Sequence, residues 1–130
     1  MLFYRLEKGG MMEELNPREF VVTGFVAHGM SCGIKKDGRK DLAVIYSPKP
    51  ALADGIFTTN AFQAAPVLLS RERISQGILQ AIVINSGNAN AATGPEGYAH
   101  AVTVASTAAR VLGIEEKRVA VCSTGVIGVP

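Results

Sequence analysis

Apolar positions run along this chain in two rhythms, one suited to strands and one to helices. EFVVTGFVA, residues 19–27, mixes β-branched and aromatic side chains and predicts a strand, with Gly24 marking a bulge or a close backbone approach. HGMSCGIK follows as a glycine-punctuated loop, and KKDGRK supplies an Asp-Gly turn with charged shoulders. LAVIY, residues 42–46, is nearly continuous apolar; it predicts a strand covered on both faces and ended by Pro48 and Pro50. Phe57-Thr58-Thr59 and residues 66–69 predict two short strands. Ser70 is then expected to cap a short helix, RERISQGILQ, with Ile74 and Ile78 four apart and Gly77 weakening it.

The second half is more regular. AIVI, residues 81–84, predicts a buried strand that opens into NSGNANAATGPEG. A helix is predicted from about Tyr98 to Leu112, because Tyr98, Val102, Ala105, Ala109 and Leu112 fall on one face. Gly113 sits where a C′ glycine belongs. Residues 119–122 predict the next strand. Strand, helix, strand in succession points to an α/β layered fold and leaves open whether the strands are parallel.

Composition narrows the class. With 130 residues, 48 % apolar and 18 % charged, the chain can bury one core and is not disordered by composition. Thirteen basic and eleven acidic residues give a net charge of +2, with no basic patch for nucleic acid or a membrane surface. No apolar run approaches the roughly 20 residues of a membrane span, and Arg5, Glu7 and Lys8 interrupt the one apolar start that a signal segment would need. A cytoplasmic location is the expectation. MLFYRLEKGG shows no periodicity and precedes Met11 and Met12, so residues 1–12 are read as a non-native or disordered extension and 13–130 as a single truncated domain.

Few residues carry candidate chemistry. Cys32 and Cys122 lie outside any Cys/His cluster, and Cys122 is expected to be a small buried hydrophobe. His28 and Cys32 are four apart, but two ligands do not make a metal site, and no metal is expected. His28 and His100 read as surface or hydrogen-bonded residues, and two histidines do not assemble a Ser/His/Asp set. NSGNANAATG lies between a strand and a helix, where phosphate loops occur, yet it matches neither GxGxxG nor a P-loop. A tight turn whose Asn88 and Asn90 satisfy backbone groups explains it better. Ser123-Thr124-Gly125 has two readings: a cap for a following helix, or an oxyanion hole in which a Thr hydroxyl and a Gly N–H aim at one developing alkoxide.

Taken in order, GFVAHGMSCGIK, DLAVIYS, GIFTTNAFQAAPV, AIVINSGNANAATG and VCSTGVIG resemble the start of the ornithine acetyltransferase family, the bifunctional glutamate N-acetyltransferases of arginine biosynthesis. The likeness runs from about Gly24 to Pro130. Ala92 departs from it, standing where the family often has Cys, and is expected to be a packing variation. The resemblance implies a layered α/β sandwich of sheets and helices, incomplete in this chain. It also implies a precursor that cleaves itself, so that a new N-terminal Thr carries acetyl from N-acetylornithine to glutamate through an acetyl-enzyme. Thr124 and Gly125 take the oxyanion-hole role. No cofactor is implied, although some members accept acetyl-CoA as a co-substrate.

The chain departs from the family pattern by having no self-cleavage sequence. Thr58, Thr59, Ser86 and Ser123 are hydroxyls without a terminal amine as base, so the nucleophile is expected on a downstream chain and this chain alone is expected to be inactive. The implied partners are the remaining alpha segment and the beta chain in an α2β2 assembly, with no nucleic acid and no membrane. Two other readings stay open: a related self-cleaving amidase or aminopeptidase, and a non-enzymatic nucleotide-binding domain.

Overall fold

The computed structural model describes residues 22–129, together with the backbone of two short strands nearer the N-terminus. These strands, β1 (Phe3–Leu6) and β2 (Met12–Leu15), pair antiparallel. The rest of the expected 1–12 extension, and residues 19–21 of the first expected strand, lie outside the described residues.

The main sheet has four strands in the order β3 (Val26–Met30), β4 (Leu42–Leu52), β5 (Ile78–Asn88) and β6 (Val119–Val126). β3, β4 and β5 are antiparallel neighbours, while β6 runs parallel to β5. A parallel pair needs a long crossover. Helix α2 (Gly94–Leu112) supplies most of it, followed by a 3-10 turn at Glu116–Arg118.

Several sequence expectations change here. The first strand begins late: residues 22–25 form a turn closed by the Phe25 N–H on the Val22 carbonyl (3.1 Å), with Gly24 at φ 88°. HGM, expected in a loop, is the body of β3, because each of its residues finds a partner on β4. β4 continues past Pro48 and Pro50. Proline is tolerated where a strand lacks a partner on one side. β3 stops pairing at Val26–Tyr46, and the register against β5 is irregular between Tyr46 and Ala51. Residues 66–69 are helical rather than extended. They belong to α1 (Ala65–Ile74), where Pro66 occupies the first turn and needs no donor there. Ser70 therefore sits inside a helix and caps nothing, and Ile78 opens β5. Phe57-Thr58-Thr59 is loop, held to α1 by Arg71, which donates to the Thr58 carbonyl (2.9 Å) and lies over the Phe57 ring.

The core lies on one face of the sheet. Ala81 and Val83 of β5 and Val119 and Val121 of β6 meet Ala65 and Leu69 of α1 and Ala101, Ala105 and Ala109 of α2. The alanines recur every four residues, so α2 can lie close upon the strands. Leu69 and Val119 are fully enclosed, each contributing about 1.5–3 kcal/mol by burial. The expected helix over 98–112 is present and begins four residues earlier, and Gly113 ends it in the left-handed conformation. By strand alternation, Ala43, Ile45, Ile82, Ile84, Ala120 and Cys122 face the other side, where Ala120 is buried and Cys122 is exposed. LAVIY is thus half-buried throughout rather than enclosed from both faces.

Candidate active site

β5 and β6 run in parallel, and their C-terminal ends bring NSG and STG side by side. Asn85 pairs with Ser123, Ser86 with Thr124 and Gly87 with Gly125. Two motifs about forty residues apart in sequence thus become one double loop. The helix-cap reading of Ser123-Thr124-Gly125 does not hold: all three residues lie within β6.

The glycines make this contact. Gly125 has φ 138° and Gly87 has φ 125°, both in the region that disfavours side chains. A Cβ on Gly125 would fall inside the backbone of Gly87 and Asn88. A Cβ on Gly87 would stand 2.6 Å from Ile34 Cγ2. Ile34, Gly87 and Gly125 form a stack from the β3–β4 loop to β6. The close approach that glycine permits at position 125 is thus an approach to another backbone.

Asp41 organises the top of that stack, and the sequence reading did not single it out. Its buried carboxylate accepts the N–H groups of Cys32 (2.6 Å) and Lys35 (2.8 Å). Its own N–H donates to the Met30 carbonyl, and its carbonyl accepts the Ser86 N–H at 2.8 Å. Those hydrogen bonds, the Cys32 N–H first, hold the Asp41 carboxyl down at about 2. Desolvation and the nearby Asp41 carboxylate push the Cys32 thiol up. An Asp opening an apolar run after a charged turn was the only signal available, and many solvated residues share it.

The asparagine loop is internally bonded, as its composition predicts. Asn88 Oδ1 accepts the Asn90 N–H (2.7 Å), Asn85 donates to the Asn88 carbonyl (2.8 Å), and Asn90 donates to the Gly97 carbonyl (2.8 Å). Thr93 Oγ1 donates to Asn90 Oδ1 (2.7 Å). The Ala89 N–H reaches the Val126 carbonyl (2.9 Å), tying this loop to the end of β6. These bonds tie the loop to itself and to the first turn of α2.

Thr124 and Gly125 are exposed. By alternation Thr124 shares a face with Cys122, whereas Ser123 shares the face of Val121, against which the helices pack. There Ser123, Asn85, Asn88, His100 and Cys32 border a cavity of about 490 Å³. Cys122 is a correction: it is exposed, and its neighbours still crowd it enough to raise its thiol pKa by desolvation. It alternates with Val121, so an apolar run was no guarantee of burial. His28 is exposed on β3, and His100 stands 4.0 Å from Glu96. Among the described residues no cluster of His, Cys, Asp and Glu is placed to hold a metal, and no helix is long and apolar enough to cross a membrane.

The comparisons bear on this geometry. The model of the ArgJ family matches residues 26–130. The arginine biosynthesis bifunctional protein ArgJ of Caldanaerobacter subterraneus is 55 % identical over 119 residues, which is 92 % of this chain and 29 % of that protein. The Gloeobacter violaceus protein of the same name is 54 % identical over 108 residues. The chain thus spans under a third of the length of the curated relatives it matches. Among solved structures, ArgJ of Bacillus halodurans superposes with a TM-score of 0.79 at 44 % identity, over 82 % of this chain and 56 % of that one. Ornithine acetyltransferase of Mycobacterium tuberculosis, solved with ornithine, gives 0.71 at 42 % identity, over 82 % and 58 %. The mixed sheet with its helices is the arrangement of those enzymes over the matched part, and the chain belongs to the ArgJ family.

Proposed function

We propose that this chain is the N-terminal part of an acetyltransferase that moves acetyl from N-acetylornithine to glutamate, and that it supplies the oxyanion hole. The observation that carries the reading is the position of Thr124 and Gly125. They lie exposed at the end of β6, locked against Gly87, in a chain with the family's motifs.

The chemistry follows from those groups. A nucleophilic Thr on a downstream segment attacks the acetyl carbonyl carbon, and the carbonyl oxygen takes on negative charge. The Thr124 hydroxyl and the Gly125 N–H donate to that oxygen, and their rigid setting leaves little reorganisation to be done as charge develops. Collapse expels the ornithine amine and leaves an acetyl-Thr ester, which the glutamate amine then attacks through the same hole. Acetyl-CoA is an alternative acetyl donor in this scheme, no cofactor takes part, and the enzyme works in the cytoplasm. The remaining alpha segment and a beta chain, in an α2β2 assembly, complete the site.

In the enzyme that contains this chain, Thr124→Ala is expected to lower kcat by about 10²–10³-fold, the cost of one oxyanion donor. Steady-state transfer of acetyl from N-acetylornithine to glutamate measures it, and an unchanged kcat overturns the assignment. Release of free acetate at a rate indifferent to glutamate would instead identify an amidase.

A further inference from the structure

Ser70 lies in the second turn of α1 and is buried at 5 % exposure. A serine inside a helix ordinarily turns back to its own helix carbonyls or out to water. This one does neither. Its hydroxyl donates to the Val121 carbonyl at 2.6 Å and accepts the Val121 N–H at 2.9 Å, across 51 residues of sequence. One hydroxyl thereby satisfies both backbone groups of a single residue on the edge of β6 that faces away from β5. At that point α1 does what a further strand would do. β6 is clamped between Val83 on one side and Ser70 on the other, three residues before Thr124.

The clamp matters because side chains on a strand alternate. A slip of one residue along β5 would turn the Thr124 hydroxyl toward the helices and put that of Ser123 on the outer face. We propose that Ser70 is a positioning residue for the Thr124–Gly125 donor pair: by fixing Val121 from the open edge, it sets which hydroxyl of Ser123-Thr124 faces the reaction and at what height. This inference rests on the oxyanion-hole reading of that pair.

The test compares variants of the enzyme that contains this chain, assayed for acetyl transfer to glutamate. Ser70→Ala is expected to lower kcat about tenfold with KM little changed, since a small misplacement of a reacting group is felt mainly in the transition state. In a Thr124→Ala background the same change is expected to have almost no further effect, because the group it positions is gone. A merely structural serine would instead give a second, equal loss in that background, and this result overturns the inference. Ser70→Cys, close in size and a weak donor and acceptor, keeps the helix seated should the alanine variant not fold. It is expected to show the same kcat-selective loss, and wild-type kcat in Ser70→Cys also overturns the proposal. If Thr124→Ala loses activity and the Ser70 variants do not, only the present inference fails. If Thr124→Ala keeps full kcat, the donor-pair reading fails and takes this one with it.

Discussion

On the face that carries α1 and α2, the sheet is closed over β5 and β6 and open over β3 and β4. The closed half is lined by small residues, with Ala101, Ala105 and Ala109 of α2 set against Val83, Val119 and Val121. The open half leaves a groove of about 560 Å³ between α2 and the strands, bordered by Val26, Met30, Val44, Val104 and Val111. Val26 keeps 60 % of its surface exposed and Val111 keeps 75 %, whereas Leu69 and Ala105 keep none. Precision therefore resides in the closed half. The candidate donors sit at the end of the closed half, where the strand beneath them is held from both edges and from above. The open half has strand pairing and little else to define it.

The contrast can be broken from either side. The largest effect is expected at Leu69: Leu69→Ala leaves a cavity under α1 and should cost about 3 kcal/mol, read as a lower urea midpoint. Gly125→Ala comes next, at about 2–3 kcal/mol, because the new methyl meets the Gly87 backbone and the conformation itself disfavours a side chain. Wild-type stability in that variant would mean that the two glycine loops are not in contact.

In the open half, Val111→Lys should change stability by no more than about 0.5 kcal/mol. It should nevertheless reduce self-association. The chain by itself is expected to associate through its exposed apolar surface, and sedimentation velocity on both proteins measures this. A strictly monomeric wild-type chain would remove the significance given to the groove.

The remaining effect concerns Asp41 and is read from pH rather than from a single midpoint. Its folded carboxyl titrates near 2, below the roughly 3.9 of an unfolded Asp, so its contribution is complete above the unfolded value and fades as pH falls toward 2. Urea midpoints between pH 5 and pH 2 should fall less steeply for Asp41→Asn than for wild type. Parallel slopes would show that the carboxylate does not anchor the 31–35 loop.

Much of this was legible beforehand, for identifiable reasons. The four-residue rhythm from Tyr98 onward required a helix, and Gly113 required its end, because both are local properties of the chain. The internally bonded asparagine loop followed from side chains that reach only their own neighbours. The motifs carrying the family likeness were equally plain. The errors share one cause. Pro48 and Pro50 stop a strand only if a partner needs their missing N–H, and that depends on where β3 ends. Ser70 reads as a cap from its neighbours alone, because its partner lies 51 residues away. Ser123-Thr124-Gly125 looked like a helix start until β5 was placed beside it.

Local pattern is enough for the strands at 81–84 and 119–122, for the helix over Tyr98 to Leu112 and for its end at Gly113, and the motifs are enough for the family. The folded chain is needed to see that Gly87 and Gly125 press against each other, that Asp41 ties the β3–β4 loop to Ser86, and that Ser70 holds the edge of β6. Those contacts join residues with no local relation. The glycines meet because β5 and β6 run parallel, Asp41 reaches Ser86 because β4 lies antiparallel beside β5, and Ser70 reaches Val121 because α1 packs along the outer edge of β6.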